Sequence, residues 1–297
     1  MTRAPVALAA GLAASAALCP AVISLARRWG VLDLPGPRKV HHGPVPRMGG
    51  AAVLAGVLAA AAVRPPSGWG PEAGLLCGGL VVFLAGWWED WRGLSPWSRL
   101  ALQSAGAGLA VSSGLVLPVL GPLGPAVALL WLVGMANAFN FVDGLDGLAG
   151  GMGAASSALL WSLAGEGGVL SAGLCGACLG FLPYNAYRAR TFLGDGGATF
   201  IGFLLAGLGI LAGRDLGRAG LVIAAAVLAL PLADLAFTTV SRVRRGEVRG
   251  MRDWVEFAGR DHLHHRLLEA GVPAPAASAI LVAAHAAAAA VLLRLAG

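Results

Sequence analysis

The feature that most constrains this chain is a succession of long uncharged runs separated by short polar loops. A helix needs about 20 apolar residues to cross the hydrocarbon of a bilayer, within a range of about 17–25. Ten runs approach or meet that length, near residues 4–26, 49–63, 72–88, 100–119, 122–141, 148–164, 168–187, 197–213, 219–240 and 274–295. Only 12% of the 297 residues are charged, 57% are hydrophobic and the mean hydropathy is +0.75. Soluble domains carry about 25% charged residues, so a water-soluble globule of this size could not cover itself. The 45 glycines have no triplet period and point to close helix packing in lipid instead of collagen. The expected fold is all-α, a polytopic integral membrane protein of about ten transmembrane helices. Residues 1–297 form one transmembrane domain, with no separable soluble part and no clear internal repeat. The first run lacks a convincing cleavage site and reads as a membrane helix, not a leader.

The charges give this bundle an orientation. Lys and Arg concentrate in cytoplasmic loops. With both termini outside, the cytoplasmic loops lie near 27–48, 89–99, 137–147, 188–196 and 241–273, and they hold 16 of the 21 basic residues. The same division places all but three of the 15 acids, and every histidine but His285, on the cytoplasmic side or in a span beside it. One membrane face therefore carries nearly all the chemistry. A net charge of +6 does not imply nucleic acid here, because the basic residues lie between apolar spans without interleaved aromatics. Cys175 and Cys178, in LCGACLG, sit at helical spacing without a neighbouring His and read as small buried packing residues, not a zinc site.

Five cytoplasmic segments hold the candidate chemistry. DLPGPRKVHHGPVPRMGG, from Asp33, is too rich in Pro and Gly for a helix and presents Arg38, Lys39, His41, His42 and Arg47 at the lipid boundary. Lys39 is the single lysine of a chain that otherwise uses Arg. It reads as a phosphate contact, against the plainer role of binding anionic lipid heads. In GWWEDWRGLSPWSRLALQ the adjacent acids Glu89 and Asp90 stand among Trp87, Trp88 and Trp91, an interfacial belt. Such a pair needs a cation to offset repulsion and desolvation; pairing with Arg92 and Arg99 is the simple alternative.

NAFNFVDGLDGLAGG spaces Asn137, Asn140, Asp143 and Asp146 by three. Steps of three drift around a helix, so the two Asp-Gly steps are expected to break it into a turn. In FLGDGGATFIGF, Asp195 is flanked by glycines that admit a close ligand at a helix start that favours anions, unless it merely caps that helix. GRDHLHHRLLEAGVP is expected to form a short helix capped by Asp261 and stopped by Gly271 and Pro273. On it His262, His265, Arg266 and Glu269 would share a face opposite Leu263 and Leu267. Histidines beside an arginine suit an anion better than zinc. Asp234, in PLADLAF, is an acid at membrane depth, functional by default unless paired with the nearby arginines.

Carboxylates able to hold Mg²⁺ beside Arg, Lys and His able to hold phosphates are the two halves of a phosphoryl-transfer site. A site at a membrane surface suits one soluble phosphate donor and one lipid acceptor. Taken in order, RKVHHGPVPRMGG, the acidic pair, NAFNFVDGLDGLAGG, FLGDGGATFIGF, PLAD and HLHHRL resemble the polyprenyl-phosphate N-acetylhexosamine-1-phosphate transferases of the MraY/WecA type.

The resemblance implies transfer of a sugar-1-phosphate from a UDP-N-acetylhexosamine to undecaprenyl phosphate, with release of UMP, at the cytoplasmic face of a bacterial inner membrane. It implies Mg²⁺, with Mn²⁺ as the alternative ion, held by Asp195. Asp143 and Asp146 would stand beside the diphosphate with Asn137 and Asn140 near them, and Asn185 near the nucleotide. His262, His264, His265 and Arg266 would close over the donor, and Lys39 would hold a phosphate. Glu89-Asp90 stands where the family usually has Asp-Asp, whose first acid is a proposed base, so the base role belongs to the pair. Direct attack by the carrier phosphate is favoured over an aspartyl-phosphate intermediate. HLHHRL resembles the WecA/TagO side, which takes UDP-GlcNAc, more than the phospho-MurNAc-pentapeptide transferases of peptidoglycan synthesis. The expected partners are the UDP-sugar, the lipid carrier and membrane lipids, not nucleic acid, and the family is compatible with a homodimer. An ion-coupled transporter or an inactive lipid-binding scaffold are the readings from other classes, but the acids cluster at one face instead of lining a path across the bilayer.

Overall fold

A computed structural model describes residues 3–36, 43–164, 168–256, 259 and 261–296. The apolar runs are helical over most of their length, although the run near 100–119 leaves the α-helix after Ser112 and passes into a 3-10 turn at Pro118–Leu123. In chain order the helices are α1 (Arg3–Trp29), α2 (Gly50–Val63), α3 (Pro71–Arg92), α4 (Pro96–Ser112), α5 (Gly124–Val142), α6 (Leu148–Ala164), α7 (Val169–Asn185) and α8 (Gly194–Gly213). They continue with α9 (Arg218–Ala226), α10 (Ala229–Arg244), the short α11 (Met251–Glu256) and α12 (Leu263–Glu269), and α13 (Ala274–Ala296). Among the described residues, five helices are long and apolar enough to cross a membrane, or six if α9 and α10 form one broken span. The apolar α2, α6 and α7 are shorter. Among the described residues, the strands are the two-residue β1 (Leu32–Asp33) and β2 (Val45–Pro46), antiparallel with Leu32 opposite Pro46.

Helix α8 is the axis of the bundle, with 89% of its apolar window buried. It can be central because its glycines let neighbouring backbones approach. A methyl group on Gly86 of α3 would sit 2.5 Å from the Gly196 nitrogen, and one on Gly50 of α2 would collide with the Gly197 Cα. Outer helices turn large apolar side chains outward, Leu130 at 69% exposure among them, as suits a surface facing lipid. At one end of α1 and α3 the rings of Trp29, Trp87 and Trp91 lie 5.6–6.5 Å apart, and Arg92 stacks 4.4 Å over Trp91. This is the interfacial belt expected beside the acidic pair. Cys175 and Cys178 are buried and free.

The run near 219–240, expected as one helix, is broken, with α9 and α10 meeting at 83°. Pro231 explains the break, since it has no N–H to offer the Val227 carbonyl four residues back. That carbonyl instead accepts the Ser156 hydroxyl at 2.6 Å. His285 Nε2 lies 2.7 Å from Ser156 Oγ, and its Nδ1 accepts the Leu230 N–H at 3.4 Å. A buried Ser–His pair thus satisfies backbone groups that a helix would otherwise have paired, as hydrocarbon requires.

Candidate functional site

The site is built where four chain reversals converge at the Trp-belted end. Helix α5 ends at Val142, and Asp143 is its first residue off the helical path. The turn runs through Gly147, whose φ of 75° suits glycine, before α6 begins. The Asp-Gly steps therefore break the helix as expected, but the break starts later than residue 137. Asn137 and Asn140 lie on α5 itself.

The segment before α8 is fixed by the loop that precedes α2. Phe192 N–H donates to Pro46 O at 2.8 Å, Gly49 N–H to Phe192 O at 2.8 Å and Gly50 N–H to Leu193 O at 2.9 Å. These bonds hold Arg47 against the start of α8. Its guanidinium reaches Asp90 at 2.9 Å, Asp33 at 3.4 Å and Asp195 at 3.5 Å. Burial works against its charge, yet Asp90, Asp195, Asp33 and Asp143 together hold its pKa above the ordinary arginine value.

Around this cluster lies a cavity of about 640 Å³. Of the residues anticipated from sequence, Asn140, Asp143, Asp146, Asp195, His264 and His265 line it. Asp195 Oδ1 accepts the Asn140 amide at 2.9 Å. Asp146 accepts the Ala189 N–H at 2.9 Å and so ties down the opposite wall. Burial, reinforced by Asp195 and Asp146 and opposed by Arg47, pushes the Asp143 carboxyl up to about 7.

The remaining anticipated residues take other places. Asp90 lies beneath the cluster, 2% exposed, with Oδ2 accepting the Gly196 N–H at 3.3 Å. Glu89 turns instead to Arg99 of α4 at 2.8 Å, because adjacent residues on a helix point about 100° apart. Asn137 pairs with Gln103, donating at 2.6 Å. Asn185 is buried and braces the walls, accepting the Gly147 N–H and donating to Thr191 O, each at 3.0 Å. Lys39 lies outside the described residues.

The histidine segment differs from the expected amphipathic helix. Asp261 is not its cap; it is taken by Arg242 at 2.6 Å and Arg245 at 2.9 Å. Although burial opposes it, bonding to Arg242 holds Asp261 below the usual carboxylate range. His262 is the N-cap residue, in extended conformation. The capping carboxylate comes from the buried Asp234 of α10, which accepts His262 Nδ1–H at 2.6 Å and Leu263 N–H at 2.8 Å. His262 Nε2 faces the Arg242 guanidinium, a donor, at 3.3 Å, which suits Nδ1 as the nitrogen that donates to Asp234. Because the helix starts at Leu263, His264 and His265 turn to the cavity, while Leu263, Leu267 and Leu268 pack on the core. Arg266 stacks 4.3 Å over Phe237 and donates to Asp261 O, away from the cavity. Burial, with His265 and His262 nearby, pushes His264 down to about 3, so it is neutral at physiological pH.

Comparison with known proteins decides what this arrangement belongs to. Residues 73–213 match the model of glycosyl transferase family 4. Over 293 residues the chain is 34% identical to a decaprenyl-phosphate N-acetylglucosaminephosphotransferase of Mycobacterium tuberculosis, covering 83% of this chain and 71% of that one. It is 30% identical to a probable undecaprenyl-phosphate N-acetylglucosaminyl 1-phosphate transferase of Bacillus subtilis, over 92% of this chain and 79% of that one. The chain belongs to the polyprenyl-phosphate N-acetylhexosamine-1-phosphate transferase family.

A phospho-N-acetylmuramoyl-pentapeptide-transferase of a Synechococcus strain is also similar, 37% identical over 66% of each chain. Three members of this site are given no role in it by the sequence, although Arg47 stands in the first loop among the basic residues at the lipid boundary. Arg47 lies 148 residues from Asp195 in sequence, which hid the pairing between them. Tyr187 and Arg188 line the cavity from the loop before α8, and Arg188 has a φ of 60°, costly for a residue with a Cβ. Nothing in a linear reading singles out Tyr187 or Arg188.

Proposed function

We propose that this chain transfers N-acetylglucosamine-1-phosphate from UDP-N-acetylglucosamine to undecaprenyl phosphate and releases UMP, at the cytoplasmic face of a bacterial inner membrane. The observation that carries this reading is the single cavity joining Asp143, Asp146, Asp195, Arg47 and His265 at the end of an apolar bundle. It offers carboxylates, cations and depth for a sugar nucleotide beside a surface a lipid tail can reach. The relatives named for N-acetylglucosamine transfer support this donor. The ten apolar runs would then cross the membrane, and the division of basic residues supports both termini outside.

In the reaction an oxygen of the carrier phosphate forms a new bond to the β-phosphorus of the donor. The bond from that phosphorus to the bridging oxygen breaks, and the oxygen leaves with UMP. No covalent enzyme intermediate is needed, because the carrier phosphate is itself a nucleophile.

The donor set fits Mg²⁺, an ion that takes one or two carboxylates and completes its shell from phosphates and water. Asp195 opens to the cavity through an all-oxygen group, and Asp143 lines the same cavity. Among the described residues no three His, Cys, Asp or Glu side chains are grouped to hold a metal alone, so substrate phosphates would supply the rest. When bound, the ion neutralises charge on the transferred phosphoryl group. Asn140 orients Asp195 from α5, and Asp146 holds the loop carrying Arg188. Arg188 and His265 present donors to the phosphates, and the neutral His264 closes the cavity over Gly144.

The test is UMP release by purified protein with undecaprenyl phosphate and Mg²⁺, comparing UDP-N-acetylglucosamine with the UDP-muramyl-pentapeptide donor. Release with the first alone, abolished by EDTA and by Asp195→Asn, is the expected result. Release with the pentapeptide donor alone would move the chain to peptidoglycan synthesis.

A further inference from the structure

Arg47 carries the most unusual electrostatic load in the protein. It is one cation set among Asp33, Asp90 and Asp195, each within 3.5 Å of its guanidinium. Its backbone cannot withdraw. Arg47 N–H donates to Val31 O at 3.1 Å, and Pro46 before it and Gly49 after it are bonded to Phe192. Any motion open to the charge is therefore rotation of the side chain about a fixed anchor.

Two of these partners, Asp90 and Asp195, are unequal. Asp90 is 2% exposed, and its Oδ1 lies 2.9 Å from Arg47. A carboxylate that deeply buried is costly without its cation, so Arg47 stays with Asp90. Asp195 opens to the cavity, is 21% exposed, sits at the longer distance of 3.5 Å and keeps its Asn140 bond regardless. Asp195 is thus the partner Arg47 can release.

A divalent ion on Asp195 would place a second cation beside the carboxylate oxygen that Arg47 already faces. The two positive charges compete unless new negative charge arrives between them. A diphosphate supplies it, because it can accept from the guanidinium while it shares the metal.

We infer that Arg47 is a resident counter-cation which keeps the free divalent ion off Asp195 and yields the site only when a diphosphate donor brings its own charge. The inference rests on the transferase reading and deepens it by assigning an order: the ion enters with the donor or after it. Arg47 then acts twice, as the block before binding and as a phosphate contact after it, pivoting on Asp90. Asp90 is accordingly a positioning residue for Arg47.

Mn²⁺ binding to the detergent-purified protein without substrates, read by electron paramagnetic resonance, tests this apart from turnover. Wild type should bind Mn²⁺ weakly and Arg47→Gln at least tenfold more tightly, with Arg47→Lys close to wild type because the charge remains. Adding UDP-N-acetylglucosamine should tighten Mn²⁺ binding in wild type, and the gain should shrink at least tenfold in Arg47→Gln, as a shared coupling term requires. Asp90→Asn should weaken substrate-free binding by leaving Arg47 to Asp33 and Asp195, and the double variant Arg47→Gln/Asp90→Asn should recover it. Equal Mn²⁺ affinity in wild type and Arg47→Gln would overturn the inference, as would a double variant that stays as weak as Asp90→Asn. Neither result touches the transferase reading, which UMP release by the wild-type protein decides on its own.

Discussion

Asp234 should govern whether the histidine segment stays docked over the cavity. Its carboxylate is 1% exposed and accepts two donors from the segment, His262 Nδ1–H at 2.6 Å and Leu263 N–H at 2.8 Å. A hydrogen bond to a charged group contributes about 1.5–3 kcal/mol, so Asp234→Ala should cost the docked state about 3–6 kcal/mol. Even the lower end raises the open population by about 100-fold, since about 1.4 kcal/mol is a factor of ten. Asp234→Asn is a finer probe. Its amide oxygen can keep the Leu263 bond, but its NH₂ faces His262 Nδ1–H, and the alternative tautomer would turn an N–H toward Arg242. That variant should lose about half as much. Amide hydrogen exchange across 262–266 reads the docking, and KM for the sugar nucleotide reads its consequence. Both should rise at least tenfold in Asp234→Ala while helix content is unchanged. Unaltered protection of the 262–266 amides in Asp234→Ala would refute the reasoning.

Three further outcomes follow from the same geometry. Gly86→Ala forces a methyl against the Gly196 nitrogen and the Asp195 carbonyl carbon, 2.5 and 2.6 Å from its ideal position; overpacking of this kind costs about 1–3 kcal/mol. A lower Tm and at least a tenfold lower kcat are expected, and a variant with wild-type values of both would contradict the close α3–α8 packing. His264 is held neutral to about 3 when docked, whereas a released histidine takes a proton near 6.5. Below pH 6.5 the open segment therefore binds a proton that the docked one does not, and docking weakens as pH falls, by up to about tenfold per unit. Exchange of α12 amides at pH 7 and pH 5, corrected for intrinsic rates, should show this loss, and His264→Gln should flatten it. Replacing His285 by Leu strips the Leu230 N–H of its acceptor at the α9–α10 break, and a buried orphan of that kind costs about 1–3 kcal/mol. The Tm should fall accordingly, and an unchanged Tm would mean the Ser156–His285 pair does not hold the bend.

Much of this architecture was legible because membrane helices and Gly-Pro loops are local signals. Most of each apolar run is helical, and the turn at Asp143–Gly147 follows from the spacing and the two Asp-Gly steps. The break at Val227 was also present in the sequence, since Pro231 denies a hydrogen bond to the carbonyl four residues back, but hydropathy averages over it. The histidine helix was misjudged because its cap is supplied by Asp234, 28 residues before His262, and that displaced partner rotated the face presented to the cavity. Glu89 and Asp90 looked like one unit in sequence, yet the helical twist sends them to different neighbours. Arg47 was visible as a basic residue of the first loop, but its partners were hidden. Its role arises from three carboxylates that β1, α3 and α8 bring around it, and only tertiary packing assembles them.

The central claim is that the cavity around Asp143, Asp146 and Asp195 makes a sugar diphosphate on a polyprenyl carrier. The most direct measurement is mass spectrometry of the lipid formed when the purified protein is given undecaprenyl phosphate, UDP-N-acetylglucosamine and Mg²⁺. Wild type should produce undecaprenyl-diphospho-N-acetylglucosamine in amounts equal to the UMP released, and Asp195→Asn should produce none. UMP release without that lipid, or the same lipid from Asp195→Asn at the wild-type rate, would contradict the account.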